Sequence, residues 1–534
     1  MTINIRKILA VLLWGLAFIW ALSDNQFRAL WPSAVALGTA LLLRRVLIGL
    51  YAGGMAGAII LADGNPGVAF VSLFRDHLIP LGQSPWKVGA ILFTFMLGGF
   101  AAIIEKGGGL QSLVKKFLHK GGDPAKRVQL SGFALGLVCF FDGLANSMMV
   151  GRMLRSLADQ CGVSRVKMAY LVDSTSSAVA CLAFVSTWIA YQLGMIREGY
   201  AQLGLADQAQ PYALFFRSIP YNFYCWFTIL FLPIVIYKNF NPGPMKEFEL
   251  EARTKALNSK SNPHEEDIHW AVAVVPVFIL LTSILVGFYL DGALSLWPVT
   301  LKGIADAFGN ANSALVLVCA SAVGSIAAFL CYPRRAGREL PSQVYLGGMQ
   351  SLFIPVLILV GAWVLGSTLE KLNAAEVLSL LLSGRLPIFL LPTAVFLTGA
   401  VISFSTGSSW GTMGILMPLS IPVAITLTEA SSLQYQELIL ATVVAAVFSG
   451  AVFGDHCSPI SDTTIIASIS CEVEPHDHVR TQMPYALIAA LIATAVGFIP
   501  VGLGMPVWVL LLIGTLILWV LPDLLMRLNQ AKNQ

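Results

Sequence analysis

The run PVWVLLLIGTLILWVLP, residues 506–522, carries no charged side chain. Crossing the hydrocarbon of a bilayer as one α-helix takes about 20 predominantly apolar residues, and this run is close to that length. Comparable blocks occupy 484–503, 351–369, 312–331, 269–290, 216–237 and 86–104. Their apolar character is continuous and does not alternate, which excludes a membrane β-barrel. The 534 residues are 57% hydrophobic and only 12% charged, roughly half the charged share of a soluble domain. A soluble fold of this length would lack the polar surface to cover its core. The expected fold is an all-α polytopic membrane protein of roughly 11–13 transmembrane helices.

The net charge of +4 points to no nucleic-acid partner, because Lys and Arg sit in connecting segments and not on one patch. The cysteines at 139, 161, 181, 225, 319, 331, 457 and 471 lie mostly inside apolar stretches. They read as small core residues and not as a disulfide framework. At the start of the chain, Arg6 and Lys7 precede the apolar run Ile8–Leu22, and Ala21-Leu22-Ser23 has the small-residue character of a cleavage site. That segment is either a cleaved signal or an uncleaved first helix.

Basic residues favour the cytoplasmic side. Arg44-Arg45, the segment 106–127 with Lys106, Lys115, Lys116, Lys120, Lys126 and Arg127, and the trio Arg334, Arg335 and Arg338 all fall on one side if 46–62 runs outward and 86–104 runs back. The polar stretch 238–268, with Pro242, Pro244 and Pro263, then lies inside as a linker. The reading divides the chain into N-terminal helices (1–85), a first repeat (86–237), the linker (238–268), connecting helices (269–349), a second repeat (350–503) and a C-terminal helix and tail (504–534).

The repeats are read from landmarks. Glu105-Lys106 ends one apolar helix, and Phe141-Asp142-Gly143 follows; Glu370-Lys371 ends another, and Ser405-Thr406-Gly407 follows. The first intervening segment is strongly basic, whereas 371–386 has only Lys371 and Arg385. Matching loops on opposite sides make an inverted-topology repeat, an architecture of many secondary transporters. The alternative is chance likeness between two apolar sequences.

Four polar strings interrupt these helices: FFDGLANSMMVGR (140–152), LVDSTSSAVACLAFVSTW (171–188), SFSTGSSWGTMGILMP (403–418) and SGAVFGDHCSPISDTTIIAS (449–468). They place re-entrant or broken-helix hairpins near 140–155, 171–190, 403–420 and 449–470. Such breaks survive at membrane depth only where protein or a water-filled cavity satisfies the freed backbone, and they expose carbonyls that attract cations.

Asp142 follows two phenylalanines and precedes Gly143 and Asn146. Charging a carboxylate in such surroundings is costly, so it can hold a proton or Na⁺ but not both; the alternative is a helix cap. Asp455 and Asp462 are seven residues apart with Pro459 between them, which argues for a break. Ser458, Ser461, Thr463 and Thr464 add the oxygens that hard cations want; the alternative is polar packing between helices. Asp173-Ser174-Thr175-Ser176-Ser177 is a second polar tip, in which Asp173 is either a third ionisable group or a helix cap. Ser186, Thr187, Thr406, Ser408 and Ser409 are weaker candidates, since Ser and Thr pack well in any membrane helix. Asp455-His456-Cys457 is neither a protease relay nor a zinc set, because adjacent residues project in different directions. His456 is a pH-responsive group or a satisfied core histidine, and Arg152 either neutralises an acid or binds an anion. No Walker A sequence or redox fingerprint occurs, so the expectation is transport without cofactor or ATP, and no enzyme activity.

The string Phe453–Thr464, FGDHCSPISDTT, resembles the signature of the NhaC-type Na⁺/H⁺ antiporters. Phe140-Phe141-Asp142 with Ala145-Asn146 is similar to the family's first-half motif. Asp173-Ser174-Thr175 with Ser186-Thr187-Trp188 is similar to the segment after it. The resemblance implies the ion transporter superfamily, with inverted repeats, re-entrant hairpins and often a homodimer surrounded by lipid in the inner (cytoplasmic) membrane. Na⁺ and H⁺ would be its partners, with Na⁺ held at Asp142, Asp455 and Asp462. One departure stands out: relatives often carry a second acid directly after the first-half Asp, and here that position is Gly143. Relatives also move organic acids and amino acids, so coupled transport of such a solute is the alternative to Na⁺/H⁺ exchange.

Overall fold

A computed structural model describes residues 3–23, 25–43, 45–109, 123–140, 143–256, 268–293, 297, 307, 311–334, 339–374, 376, 377, 380, 386–459 and 461–532. Helices α1 (Ile3–Ala21), α2 (Trp31–Leu43) and α3 (Val46–Leu61) pack together at the start of the chain. Ala17, Ala21, Val35, Ala56 and Ile59 fill their shared core, and Trp31 Nε1 donates to the Leu13 carbonyl at 3.2 Å. After α3 the chain turns back by 118°. Asp63 and Gly64 supply the two left-handed residues of that turn. Asn65 then accepts from Gly67 and Val68 N–H to start α4 (Pro66–Ser72), with Pro66 where a missing N–H costs nothing. A π-helical turn (Leu73–Leu78) leads into α5 (Ile79–Gln83). Helix α6 (Pro85–Gly107) begins on a Ser84 cap and stops at Gly108, whose φ of 76° needs a residue without Cβ.

The central part runs α7 (Pro124–Val138), α8 (Gly143–Gln160), α9 (Arg165–Leu182), α10 (Ile189–Ala201), α11 (Pro211–Ser218), α12 (Phe223–Lys238) and α13 (Met245–Ala256). Next come α14 (Ala271–Gly292), α15 (Ser313–Cys331), α16 (Pro341–Ser351) and α17 (Phe353–Lys371). The last part comprises α18 (Leu391–Thr406), α19 (Ser409–Thr428), α20 (Leu433–Cys457), α21 (Asp462–Cys471), α22 (Pro475–Ile492), α23 (Ile499–Gly502) and α24 (Val507–Lys532). Among the described residues there is no strand, and nine helices are long and apolar enough to span, or up to 11 when two bent pairs each count as one. Only the upper count reaches the lower edge of the expected range, because helices as polar as α8 and α9 do not qualify by composition.

Helices α18 and α20 meet along glycines. A Cβ on Gly450 would lie 2.5 Å from the Phe396 carbonyl oxygen, and one on Gly454 would strike Phe404 N and Ser403 Cβ. Close backbone approach of this kind is how membrane helices gain packing energy where no hydrophobic drive separates helix from lipid. Ser403 Oγ crosses the seam to the Ala451 carbonyl at 2.6 Å.

The segment after α12 is not slack chain. Glu249 on α13 is 3% exposed, and its Oε1 accepts from Ser164 N at 2.8 Å and Ser164 Oγ at 2.6 Å. Ser164 caps α9, so the carboxylate sits at the positive end of that helix. One turn on, the buried Lys167 Nζ donates to the Phe240 carbonyl (3.1 Å), Asn241 Oδ1 (2.8 Å) and Tyr485 OH (2.9 Å). Lys167→Met would leave Asn241 Oδ1 without its donor, while the Phe240 carbonyl keeps the Tyr485 hydroxyl at 3.0 Å. The expected loss is about 2 kcal/mol, at 1–3 kcal/mol for buried polar groups left unpaired, read as a lower melting temperature of the purified protein.

Candidate functional site

Helix α20 ends at Cys457 and the chain resumes as α21 at Asp462. Pro459 falls inside the break, and Ser461 Oγ accepts from Thr464 N–H at 3.3 Å to start the second helix. The break brings the last turn of α20 against the first turn of α21. Thr463 Oγ1 donates to Asp455 Oδ2 at 3.1 Å. Thr464 Oγ1 stands 3.2 Å from both the Asp455 carbonyl oxygen and Asp173 Oδ2, so its one proton serves either.

Helix α9 packs across this junction. Ser177 Oγ donates to Asp455 Oδ2 at 3.3 Å. Ser174 Oγ lies 2.8 Å from His456 Nε2, and Tyr224 OH on α12 lies 2.7 Å from His456 Nδ1. Both ring nitrogens of His456 are therefore engaged by hydroxyls.

Helix α22 closes the third side. Gln482 Nε2 donates to Asp173 Oδ2 at 2.8 Å, and His478 Nε2 lies 3.2 Å from the same oxygen. Gln482 Nε2 also reaches the His456 carbonyl. Asp173 is fully buried and Asp455 is 2% exposed. Asp173 Oδ1, Gln482 Oε1 and His478 Nδ1 make no hydrogen bond. A buried carboxylate with an idle oxygen is expensive to keep charged unless a proton or a cation joins it. Asp173 and Asp455, with Thr464 Oγ1 between the Asp173 carboxylate and the Asp455 backbone carbonyl and with Ser177 and Thr463 hydroxyls alongside, form a setting suited to a hard monovalent cation.

The other candidates fall elsewhere. Asp142 lies outside the described residues, as does the side chain of Asp462. Its neighbour Asn146 is buried, with Nδ2 on the Gly136 carbonyl at 2.8 Å. Thr175 Oγ1 bonds back to its own helix at Leu171. Ser458 is fully buried in the break. Ser186 and Thr187 are buried between α9 and α10, where Ser186 Oγ donates to the Ala180 carbonyl and accepts from Trp188 N–H. Thr406, Ser408 and Ser409 shape the break between α18 and α19, with Gly407 at φ 67° and Ser408 Oγ accepting from Gly411 N–H. None of the described hydrogen bonds of these five residues reaches the Asp173–Asp455 cluster. Conversely, His478, Gln482 and Tyr224 belong to the cluster and were not singled out from sequence. The only available signal was the spacing of His478 and Gln482, four apart and so on one helix face.

A family model described as the Na⁺/H⁺ antiporter family matches residues 179–503, which include the whole break, α21 and α22. The chain belongs to the Na⁺/H⁺ antiporter family. This antiporter-family chain is 30% identical over 514 residues to an uncharacterised protein of Haemophilus influenzae, covering 94% of each. Shorter matches cover 29% of the chain: 35% identity to 29% of an uncharacterised Na⁺/H⁺ antiporter of H. influenzae, and 33% identity to 30% of the malate-2H⁺/Na⁺-lactate antiporter of Bacillus subtilis. Among solved structures, the YdaH transporter of Alcanivorax borkumensis shares the fold with a TM-score of 0.54 at 16% identity, over 84% of this chain and 90% of that one. The antiporter-family chain is thus a multi-pass cell-membrane secondary transporter and not an enzyme.

Proposed function

We propose that this transporter exchanges Na⁺ for H⁺ by competition at buried carboxylates. The observation that carries the reading is the pair Asp173 and Asp455, both buried, with Thr464 Oγ1 3.2 Å from Asp173 Oδ2 and from the Asp455 backbone carbonyl, and with Asp173 Oδ1 free of hydrogen bonds. A proton on either carboxylate removes the charge that a sodium ion needs, and a bound ion excludes the proton. Asp142 and Asp462 complete the proposed set of acids, and Ser177, Thr463 and Thr464 supply hydroxyl oxygens. Ion or proton shifts the balance between outward- and inward-facing states only through unequal affinity for the two.

The proposed inverted repeats are supported by reciprocal packing, since α8 lies against α21 while α10 lies against α19. In the proposed arrangement a helix of each half packs on one of the other, with Asp173 from the first half and Asp455 from the second at the shared site. A homodimer embedded in lipid is part of the same proposal.

The test uses purified protein in proteoliposomes with an internal pH dye. A Na⁺ gradient alone, with no organic solute, is expected to move protons. The match to a malate-2H⁺/Na⁺-lactate antiporter favours one second reading, coupled transport of a small organic acid. Proton movement that requires malate or lactate would replace the first reading with the second.

A further inference from the structure

Away from the carboxylates, a cavity of about 670 Å³ opens between α1, α2 and α3. Its volume falls in the range of small-ligand sites, roughly 300–1,000 Å³. Trp14, Leu42 and Ile48 contribute apolar wall, and the exposed cations Lys7 and Arg45 line it as well. Chain direction places both cations at one end. Lys7 is in the first turns of α1, and Arg45 sits between the last residue of α2, Leu43, and the first of α3, Val46. By the bias of basic residues this is the cytoplasmic end, where the leaflet carries anionic lipid.

A second feature points into the same cavity. Thr39 lines it, is 3% exposed, and its Oγ1 has no hydrogen-bond partner. A buried hydroxyl is costly until something accepts its proton. Thr39 lies four residues before the end of α2, about 6 Å along the axis at about 1.5 Å per residue. A phospholipid has that layout: an anionic phosphate, ester carbonyls a few bonds deeper, then acyl chain.

We propose that this groove binds one anionic phospholipid of the cytoplasmic leaflet. Its phosphate sits with Lys7 and Arg45, an ester carbonyl accepts from Thr39 Oγ1, and an acyl chain runs along Trp14, Leu42 and Ile48. The site is independent of the carboxylate cluster and does not rest on the transport reading.

Native mass spectrometry of the full chain, exchanged into detergent with phosphatidylglycerol or phosphatidylcholine of identical acyl chains, tests it. Wild type is expected to retain one phosphatidylglycerol about tenfold more strongly, a factor equivalent to one decade of Kd. The double variant Lys7→Gln/Arg45→Gln, at exposed positions and with insertion checked by size-exclusion elution, is expected to erase the headgroup preference. Thr39→Val is expected to weaken retention while leaving the preference in place. Equal retention of both lipids by wild type, or an unchanged preference in the double variant, overturns the proposal. Equal thermal stabilisation by inorganic phosphate and by phosphatidylglycerol would assign the cations to a free anion and overturn it too.

Discussion

Asp455→Asn is expected to leave the protein inserted and folded while lowering Na⁺-driven proton movement at least about 100-fold, the equivalent of two decades at about 1.4 kcal/mol each. The amide matches the carboxylate in size, so the packing of α20 against α9 and α21 is kept. What changes is charge. Asp455 Oδ2 accepts from Ser177 and Thr463, and these hydroxyls can rotate to meet an amide. An amide neither binds a proton near neutral pH nor offers an anion to Na⁺. Asp173→Asn carries the same expectation for a further reason. Thr464, Gln482 and His478 converge on its Oδ2, so an amide either loses its match to three donors or presents its NH₂ to the idle position. The measurement is the pH-dye assay in proteoliposomes, with protein content checked by immunoblot and fold by size-exclusion elution. Wild-type exchange in both variants would place the site elsewhere.

The second large effect is on folding. Gly454→Val is expected to abolish a monodisperse peak in detergent. Its side chain would be driven into Phe404 N and Ser403 Cβ, and backbone cannot step aside as a flexible side chain can. Overpacking typically costs about 1–3 kcal/mol and more where backbone must shift, and the Ser403–Ala451 hydrogen bond spans the same seam. Gly347→Ala is the control: a Cβ there meets nothing within 4 Å, so it should keep or raise the melting temperature. A well-behaved Gly454→Val protein would show that the α18–α20 seam is softer than its spacing indicates.

The fold was largely readable because a bilayer imposes one blunt demand, and the apolar blocks met it by length. The break between α20 and α21 was readable too, since Pro459 disfavours a continuous helix and the serines around it offer a cap for the next one. Reading the partners across the break was harder. Asp173, Asp455, Thr463 and Thr464 stood out as polar residues in apolar strings, and the structure draws them together. Ser186, Thr187, Thr406 and Ser408 stood out equally, yet their described bonds are local ones at helix breaks. Composition does not distinguish a hydroxyl that caps a helix from one that faces a carboxylate. His478 and Gln482 were overlooked for the opposite reason. They precede the apolar block 484–503, so they read as loop, whereas α22 begins at Pro475 and carries them inward. Tyr224 was hidden inside an apolar block, where only a neighbour from another helix reveals a polar duty.

The double anchorage of the segment after α12 has a mechanical consequence. Glu249 grips the cap of α9, and Lys167 grips Phe240 and Asn241 from one turn deeper. A stretch pinned at two points to the rod that bears Asp173 behaves as a lever. Force applied to it is delivered to the helix that carries Asp173, so a tag or fusion joined there would tug on the machinery it was meant to report.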